Sequence, residues 1–166
     1  MQSYFPADQG VRSVEAGLPD PGEQDLIALA SALRVKWEGA LLDCLSEGGF
    51  PDILPRHGAI LAYLIPEGRR ATEFSTLSGL SKQKIGMIAD ELEALGYLTR
   101  APDPSDRRAK LLVPTKRGLS QMRFARSVVE SMESGAIGAI GESRFVELKQ
   151  SLLEIADLPL EVPENS

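Results

Sequence analysis

Residues 72–117 constrain the fold more than any other part of this 166-residue sequence, because they place two short helices, a tight hairpin and the start of a third helix in close succession. Thr72 and Ser81 are predicted N-caps, since a hydroxyl side chain accepts a hydrogen bond from a backbone N–H one turn later. The Ser78-Gly79 pair is predicted to close the first helix and to leave room for a sharp turn. The segment therefore predicts two helices that meet at an angle.

The second of these helices is predicted to be amphipathic. Its apolar residues recur at helical spacing, and Gly96 supplies the stop. They are Ile85, Ile88, Ala89, Leu92 and Leu95. The opposite face begins with Lys82, Gln83 and Lys84. A helix with a partly basic first turn, held by a preceding short helix, is the arrangement that enters a DNA major groove, where lysine reaches guanine or phosphate and glutamine pairs with adenine.

A polar hairpin is predicted after this helix. Residues 97–100 and 110–113 are predicted strands, and the nine residues between them contain two prolines and two aspartates. The tip of the hairpin is predicted to carry Arg107 and Arg108, with Lys110 on the returning strand. Guanidinium groups presented in this way suit a narrow minor groove or the flanking phosphates.

These segments resemble the MarR-type winged helix-turn-helix regulators. The resemblance rests on four motifs that arrive in the family's order and at its spacing: Leu80-Ser81-Lys82-Gln83, Asp90-Glu91-Leu92-Glu93-Ala94-Leu95-Gly96-Tyr97, Asp103-Pro104-Ser105-Asp106-Arg107-Arg108-Ala109-Lys110 and Thr115-Lys116-Arg117-Gly118. It implies a mainly α fold with a small β-wing, in which a winged helix-turn-helix core is flanked by long terminal dimerisation helices.

The resemblance also assigns roles to individual residues. It maps the family's pairing of an aspartate with an arginine two positions later onto Asp106 and Arg108, so that the carboxylate would hold the guanidinium in one rotamer before DNA binds. Gly86-Met87 departs from the small hydroxyl and basic residues common in the family. The predicted DNA-binding residues are Ser81, Lys82, Gln83, Lys84, Met87, Asp106, Arg107, Arg108 and Lys110.

Apolar stripes at helical spacing outside the core define the predicted organisation of the chain. Residues 1–22 are predicted as an arm, either flexible or ordered on a partner, and 158–166 as a flexible tail. Residues 23–53 form the predicted N-terminal dimerisation helix, 54–117 the DNA-binding core and 118–157 the C-terminal dimerisation helices, with a Gly/Ala-rich break at 135–141. A two-fold dimer would bury these stripes together. Pro55 is predicted to begin a helix that ends at Pro66, and residues 69–71 a short third strand.

The net charge of −6 is unusual for a protein that binds DNA, so its distribution matters. Residues 69–117 hold ten Lys/Arg against six Asp/Glu, a balance of +4 that leaves −10 for the rest of the chain. Basic charge is thus concentrated on the segment predicted to contact phosphates. An acidic remainder can restrain non-specific binding. This charge distribution argues against histone-like coating of DNA, but it is compatible with a protein that binds a specific DNA sequence.

For four further residues the sequence allows both a functional and a purely structural role. Trp37, His57 and Tyr63 either line a ligand pocket between the dimer helices and the winged core, where the resembled family binds small aromatic or lipophilic molecules, or serve as packed or exposed helix residues. His57 has no cysteine partner that would indicate a metal site. Cys44 lies on an apolar stripe, which favours a packed core residue over an oxidant sensor.

No motif of an enzyme is present. The sequence lacks G-x-S-x-G, a P-loop, a dinucleotide fingerprint and His-x-x-x-His, and its single histidine removes most acid–base schemes. We therefore predict no enzyme activity and no cofactor. A single cysteine excludes an internal disulfide and favours the reducing cytoplasm. Neither a membrane-length apolar run nor a secretory signal is visible.

The predicted function is that of a homodimeric transcriptional regulator that binds a palindromic double-stranded DNA site. Repression, relieved by a small-molecule effector, is the mode that the resemblance implies. The alternative is a winged-helix protein-interaction module without DNA binding, which the acidic remainder and Gly86-Met87 support.

Overall fold

A computed structural model describes residues 25–159, and the predictions for residues 1–22 and for most of the tail lie outside this range. The chain divides into two compact units, Met1–Val35 and Lys36–Ser166. In chain order, the helices and strands are α1 (Leu26–Glu47), α2 (Gly58–Leu61), β1 (Arg69–Arg70), α3 (Ala71–Ser78), α4 (Lys82–Ala94), β2 (Leu98–Asp103), β3 (Asp106–Pro114), α5 (Lys116–Ile140) and α6 (Glu142–Asp157). A 3-10 turn at Pro55–His57 directly precedes α2. The predicted fold class, mainly helical with a small β-wing, is confirmed.

The wing is a three-stranded antiparallel sheet in the order β1-β3-β2. The short third strand is present as predicted, and it pairs Arg69 with Leu112 and Arg70 with Leu111. β2 and β3 are longer than predicted, because all but two of the residues that were predicted to form a loop continue the ladder. The turn consists of Pro104 and Ser105 alone. Arg107 and Arg108 therefore lie on β3 and not at the tip of the hairpin, which corrects the prediction.

The core forms where α2, α3 and α4 pack on the sheet. Apolar residues of α4 are buried as their spacing predicts, and Leu95 is half-buried at the end of the helix. The largest fully buried side chains are those of His57, Ile60, Phe74, Ile85, Leu92, Tyr97 and Leu98. The hydrophobic effect of this burial fixes which face of α4 points outward.

The helix boundaries of the core follow local capping signals. Ser81 caps α4, with its hydroxyl 3.3 Å from the Lys84 backbone nitrogen, and Thr115 caps α5 in the same way through Gly118. Gly79 ends α3 with a φ of 71°, a conformation that glycine adopts without steric cost. The prediction for Thr72 was wrong: the N-cap is Arg70, two residues earlier, and the Glu73 carboxylate accepts from the backbone N–H of Arg70 at 2.8 Å.

Three further boundaries differ from prediction. The helix predicted from Pro55 is a 3-10 turn followed by the single turn of α2, which ends at Leu61, well before Pro66. The Gly/Ala-rich segment is helical to Ile140, and the break falls at Gly141 alone, where φ is 86°. Within residues 25–159, no helix is both long and apolar enough to cross a membrane.

Candidate functional site

The exposed face of α4 carries polar residues that were predicted from the sequence to bind DNA. Ser81, Lys82, Gln83 and Lys84 are all exposed around the first turn, and Met87 is 58% exposed one turn later. A Cβ built on Gly86 would meet no other atom within 4 Å. The first turn of α4 therefore presents two ammonium groups and one amide to solvent. These groups can donate to phosphates, and the amide can also read a base edge.

Arg100 on β2 forms ion pairs with two acidic residues of α4. Its Nη2 lies 2.6 Å from Oδ1 of Asp90, and its Nη1 donates to the Glu93 carboxylate. The hydrogen bond to Asp90 outweighs the opposing effect of burial and raises the pKa of Arg100. Both carboxylates thus repel an approaching phosphate less than free carboxylates would. No sequence pattern predicts this contact, because the contact joins residues of two different elements.

Glu91, the third acidic residue of α4, is also paired. Its Oε2 accepts from Nε of Arg56 at 2.7 Å and lies 3.1 Å from Nε2 of His57. The hydrogen bonds from Arg56 and then His57 hold the pKa of Glu91 below its ordinary value. The acidic residues that follow the basic first turn therefore have internal cationic or hydrogen-bonding partners.

The turn of the hairpin is anchored by the buried carboxylate of Asp103. It accepts from the hydroxyl and the backbone N–H of Ser105 at 2.7 and 2.8 Å, and from Nε of Arg70 at 2.6 Å. These hydrogen bonds, those of Ser105 first, lower the pKa of Asp103 to about 2. Arg70 lies on β1, so the contact ties the turn to the strand at the opposite edge of the sheet.

Arg108 is exposed on β3, close to this anchored turn. Asp106 is exposed two residues earlier, and its carboxylate accepts from the backbone N–H of Arg108 at 3.0 Å. Among the residues that the structure describes, no ion pair joins the two side chains, so the pair is held through the backbone and not through the guanidinium as predicted. Lys110 is exposed on the same strand.

A second polar cluster ties the core to the start of α5. The Tyr97 hydroxyl donates to Asp52, and Arg117 donates to the other oxygen of Asp52 at 2.8 Å while its guanidinium lies 4.3 Å from the Tyr97 ring centre. Burial, followed by the hydrogen bond to Asp52, raises the pKa of Tyr97. Burial alone would raise the pKa of Asp52, but the hydrogen bonds from Tyr97, its own backbone and Arg117 lower it.

A cavity of about 880 Å³ lies between the second half of α1, residues 53–66 and α5. Its walls are mainly apolar, and they include Leu41, Leu45, Leu64 and Met122. The volume falls within the range of about 300–1,000 Å³ that is typical of small-molecule sites. No group of three His, Cys, Asp or Glu side chains that could hold a metal ion occurs in the described range 25–159.

The structure does not bring the three predicted pocket residues together. His57 is buried below the cavity wall and hydrogen-bonded through both ring nitrogens, Tyr63 is exposed, and neither lines the cavity. Trp37 is half-buried beside a separate, smaller pocket of about 270 Å³. His57 is therefore a packed residue with both ring nitrogens hydrogen-bonded, and not a pocket residue. Cys44 is half-buried and free.

Comparison with known proteins identifies the class of this fold. A sequence model of the MarR family matches residues 52–109. The chain is similar to CouR from Rhodococcus jostii RHA1 bound to p-coumaroyl-CoA, with a TM-score of 0.67 and 27% identity, covering 84% of this chain and 96% of that one. It is also similar to the repressor CouR bound to a 23-mer DNA duplex, with a TM-score of 0.64 and 26% identity over 80% and 92% of the two chains.

A MarR family regulator from Rhodococcus sp. RHA1 gives a TM-score of 0.64 and 25% identity over 81% of this chain and 96% of that one. Curated proteins gave no match. The fold and the exposed basic residues define a winged helix-turn-helix protein. The family resemblance predicted from the sequence is confirmed, because the MarR model matches the winged core and the similar structures include MarR family regulators.

Proposed function

We propose that this protein is a homodimeric transcriptional regulator that binds duplex DNA through the first turn of α4 and through β3. The observation that carries the proposal is the pairing of every acidic residue of α4 with an internal partner, while Lys82, Gln83 and Lys84 stay exposed. The structure of the repressor CouR bound to a DNA duplex supports duplex binding by this chain. The protein would act where DNA is accessible, in the cytoplasm.

α4 would enter the major groove, and its amide and ammonium groups would contact base edges and phosphates. Arg107, Arg108 and Lys110 would contact the minor groove or the adjacent phosphates. Because Asp103 anchors the turn to β1, the backbone that carries Arg108 is fixed before DNA arrives. Preorganisation of this kind reduces the entropic cost of binding.

A dimer would present two such surfaces to one palindromic site, with half-sites about one helical turn apart. Large apolar side chains are exposed along α6, including Val146, Leu148, Leu152, Leu153 and Ile155. The first turns of α1 expose Leu26, Ile27, Leu29, Leu33 and Val35. Exposed large apolar side chains in such numbers on one helix are typical of a surface that another protein chain covers.

The cavity beside α5 would be the effector site, and its occupation would release DNA. The p-coumaroyl-CoA complex of CouR supports small-molecule control. Pro55 and Gly58 line the cavity, and Arg56 and His57 between them contact Glu91 of α4. A ligand that displaces this segment would therefore shift α4, and with it both half-site contacts of the dimer.

The test begins with a selection of genomic fragments by the purified protein, followed by fluorescence anisotropy on the enriched duplex. We expect affinity to fall steeply between about 50 and 200 mM salt. Arg108→Ala should weaken binding at least about tenfold, as expected for loss of a minor-groove arginine. Arg144→Ala, which removes the same charge from an exposed position on α6, is the matched control and should bind nearly as wild type does.

The competing function is a protein-interaction module that has lost DNA binding. Two residues in the middle of the exposed α4 face favour the interaction module. Met87 is apolar and exposed, and Gly86 has no side chain that could contact DNA. If the selection enriches no sequence, the interaction module becomes the better interpretation. If Arg108→Ala and Arg144→Ala bind an enriched duplex equally, Arg108 does not contribute to DNA binding.

A further inference from the structure

Met87 is an apolar residue on the polar face of α4. Within this helix, which the structure describes throughout, it is the one large apolar side chain that is exposed, whereas its neighbours Ile85 and Ile88 are buried in the core. The side chain of Met87 is 58% exposed. Packing in the core therefore does not explain a methionine at this position, whereas contact with a partner on the outer face of α4 does.

Helical spacing places Met87 beside the basic first turn of α4. Gln83 lies four residues earlier, which puts it on the same side of the helix and about 6 Å away along the axis. Lys84 lies three residues earlier and is exposed, as Gln83 is. A partner that covers Met87 therefore meets an ammonium group and an amide beside it. Positive charge around a single apolar contact favours a polyanion such as DNA over an apolar protein surface.

The surroundings of Met87 leave room for the edge of a base. Gly86 carries no side chain, and even a Cβ at that position would meet no atom within 4 Å. One turn further along the helix, Nη2 of Arg100 lies 2.6 Å from the Asp90 carboxylate. The carboxylate is thus tied to a cation of the protein, which reduces its repulsion of DNA at this part of the helix.

We propose that Met87 determines part of the sequence specificity of this protein by packing on the 5-methyl group of a thymine in the major groove. The inference rests on the proposed DNA-binding function and adds a base that α4 selects. Thymine presents a methyl group in the major groove, and a thioether side chain is flexible and polarisable enough to pack on it. Because successive base pairs lie about 3.4 Å apart, the thymine would be one or two base pairs from the base that Gln83 contacts.

Replacement of thymine by deoxyuridine removes only the methyl group and so isolates the proposed contact. The measurement is fluorescence anisotropy of the full-length protein with the enriched duplex, in which the thymines related by the two-fold axis are replaced one pair at a time. Burial of one methyl-sized group contributes about fourfold to affinity in each half-site. For one pair of thymines we therefore expect wild-type affinity to fall about tenfold or more, and the other pairs should tolerate replacement.

Two alanine variants on the same face of α4 test whether the effect depends on Met87. Met87→Ala should bind the thymine and deoxyuridine duplexes with equal affinity, because the side chain that contacts the methyl group is gone. Gln83→Ala is the matched control: it should bind less selectively at a neighbouring base pair but keep the wild-type ratio of the two affinities. Both side chains are exposed and alanine favours helix, so both variants should fold.

Several results would overturn the inference. If the wild type binds an enriched duplex but no replacement of thymine weakens binding, Met87 does not recognise a methyl group, although the proposed function stands. If the loss persists in Met87→Ala, another residue or the altered stiffness of the duplex causes it. If no duplex is enriched, the proposed DNA binding fails as well, and Met87 then belongs to a protein-interaction surface.

Discussion

The imidazole of His57 joins the wall of the cavity to α4, the helix proposed to contact DNA. Its Nδ1 accepts from the Leu54 backbone N–H at 3.1 Å, so Nε2 carries the proton and donates to Glu91 at 3.1 Å. The ring itself is 1% exposed. Residues 54 and 55 face the cavity on one side of this contact, and α4 faces solvent on the other.

Removal of the Glu91 carboxylate should destabilise the protein through His57. Glu91→Ala leaves a buried N–H without an acceptor, which is costly, so we expect the melting temperature to fall by a few degrees. Glu91→Gln keeps an acceptor and should recover more than half of the loss. A Gln variant as unstable as the Ala variant would show that the charge on Glu91, and not the hydrogen bond, is what matters.

The contribution of Asp103 to stability should depend on pH. Its pKa lies near 2, below the ordinary value of 3.8, so the folded state favours the ionised form. Its stabilising effect is therefore fully present above about pH 4 and is lost as pH falls towards 2. Asp103→Asn should melt below wild type at neutral pH, and the two melting temperatures should converge near pH 2. A gap that stays constant with pH would contradict this account.

Gly118 is required by the close approach of α5 to the wing. A Cβ at this position would lie 2.0 Å from the Tyr97 backbone oxygen, which cannot move without disturbing the Thr115 cap. Gly118→Ala should therefore lose about 1–3 kcal/mol of unfolding free energy, the usual cost of overpacking. Gly138→Ala in the same helix meets no atom within 4 Å and should gain about 0.5–1 kcal/mol. Urea denaturation measures both changes.

Gln83 and Lys84 should contribute to DNA binding in different ways. Gln83→Ala should relax the preference at one base pair by about 1–3 kcal/mol, because a bidentate amide contact reads a base. Lys84→Ala should weaken binding to all sequences and reduce the salt slope by about one. Competition assays with duplexes that differ at single positions separate the effects. Identical profiles for both variants would rule out base reading by Gln83.

An acidic substitution at an exposed leucine of α6 should break the proposed dimer. Leu153 is 71% exposed, and Leu153→Glu would bury a charge at any interface that covers it, which is strongly unfavourable. Sedimentation analysis should give a dimer for wild type and a monomer for the variant. Ser143→Glu, in the exposed first turn of the same helix, is the control and should remain dimeric. A monomeric wild type would contradict the proposed assembly.

Features of the fold that depend on local chemistry were predictable from the sequence. Ser81, Gly79 and Gly96 set helix ends through their own side chains or backbone freedom, and these boundaries agree with the structure. The prediction for Thr72 was wrong because the helix begins at Ala71, where the Glu73 carboxylate accepts from the backbone N–H of Arg70. The sequence predicts too short a hairpin, because prolines and aspartates are typical of turns, although the ladder with β3 includes Pro102 and Asp103.

The polar contacts that shape the candidate site were not predictable in the same way. Arg100 reaches Asp90 across ten residues, and Arg70 reaches Asp103 across 33. No periodic pattern or short motif encodes such pairs, because they exist only once the sheet has packed against α3 and α4.

Gly86 has a consequence for how this protein could acquire new targets. Its position on α4 accepts a side chain without a clash, and glycine within a helix is less stable than almost any replacement. A single substitution there would add a side chain to the surface proposed to contact DNA and would stabilise the helix at the same time. At this position a change of DNA sequence preference would therefore not require a loss of stability.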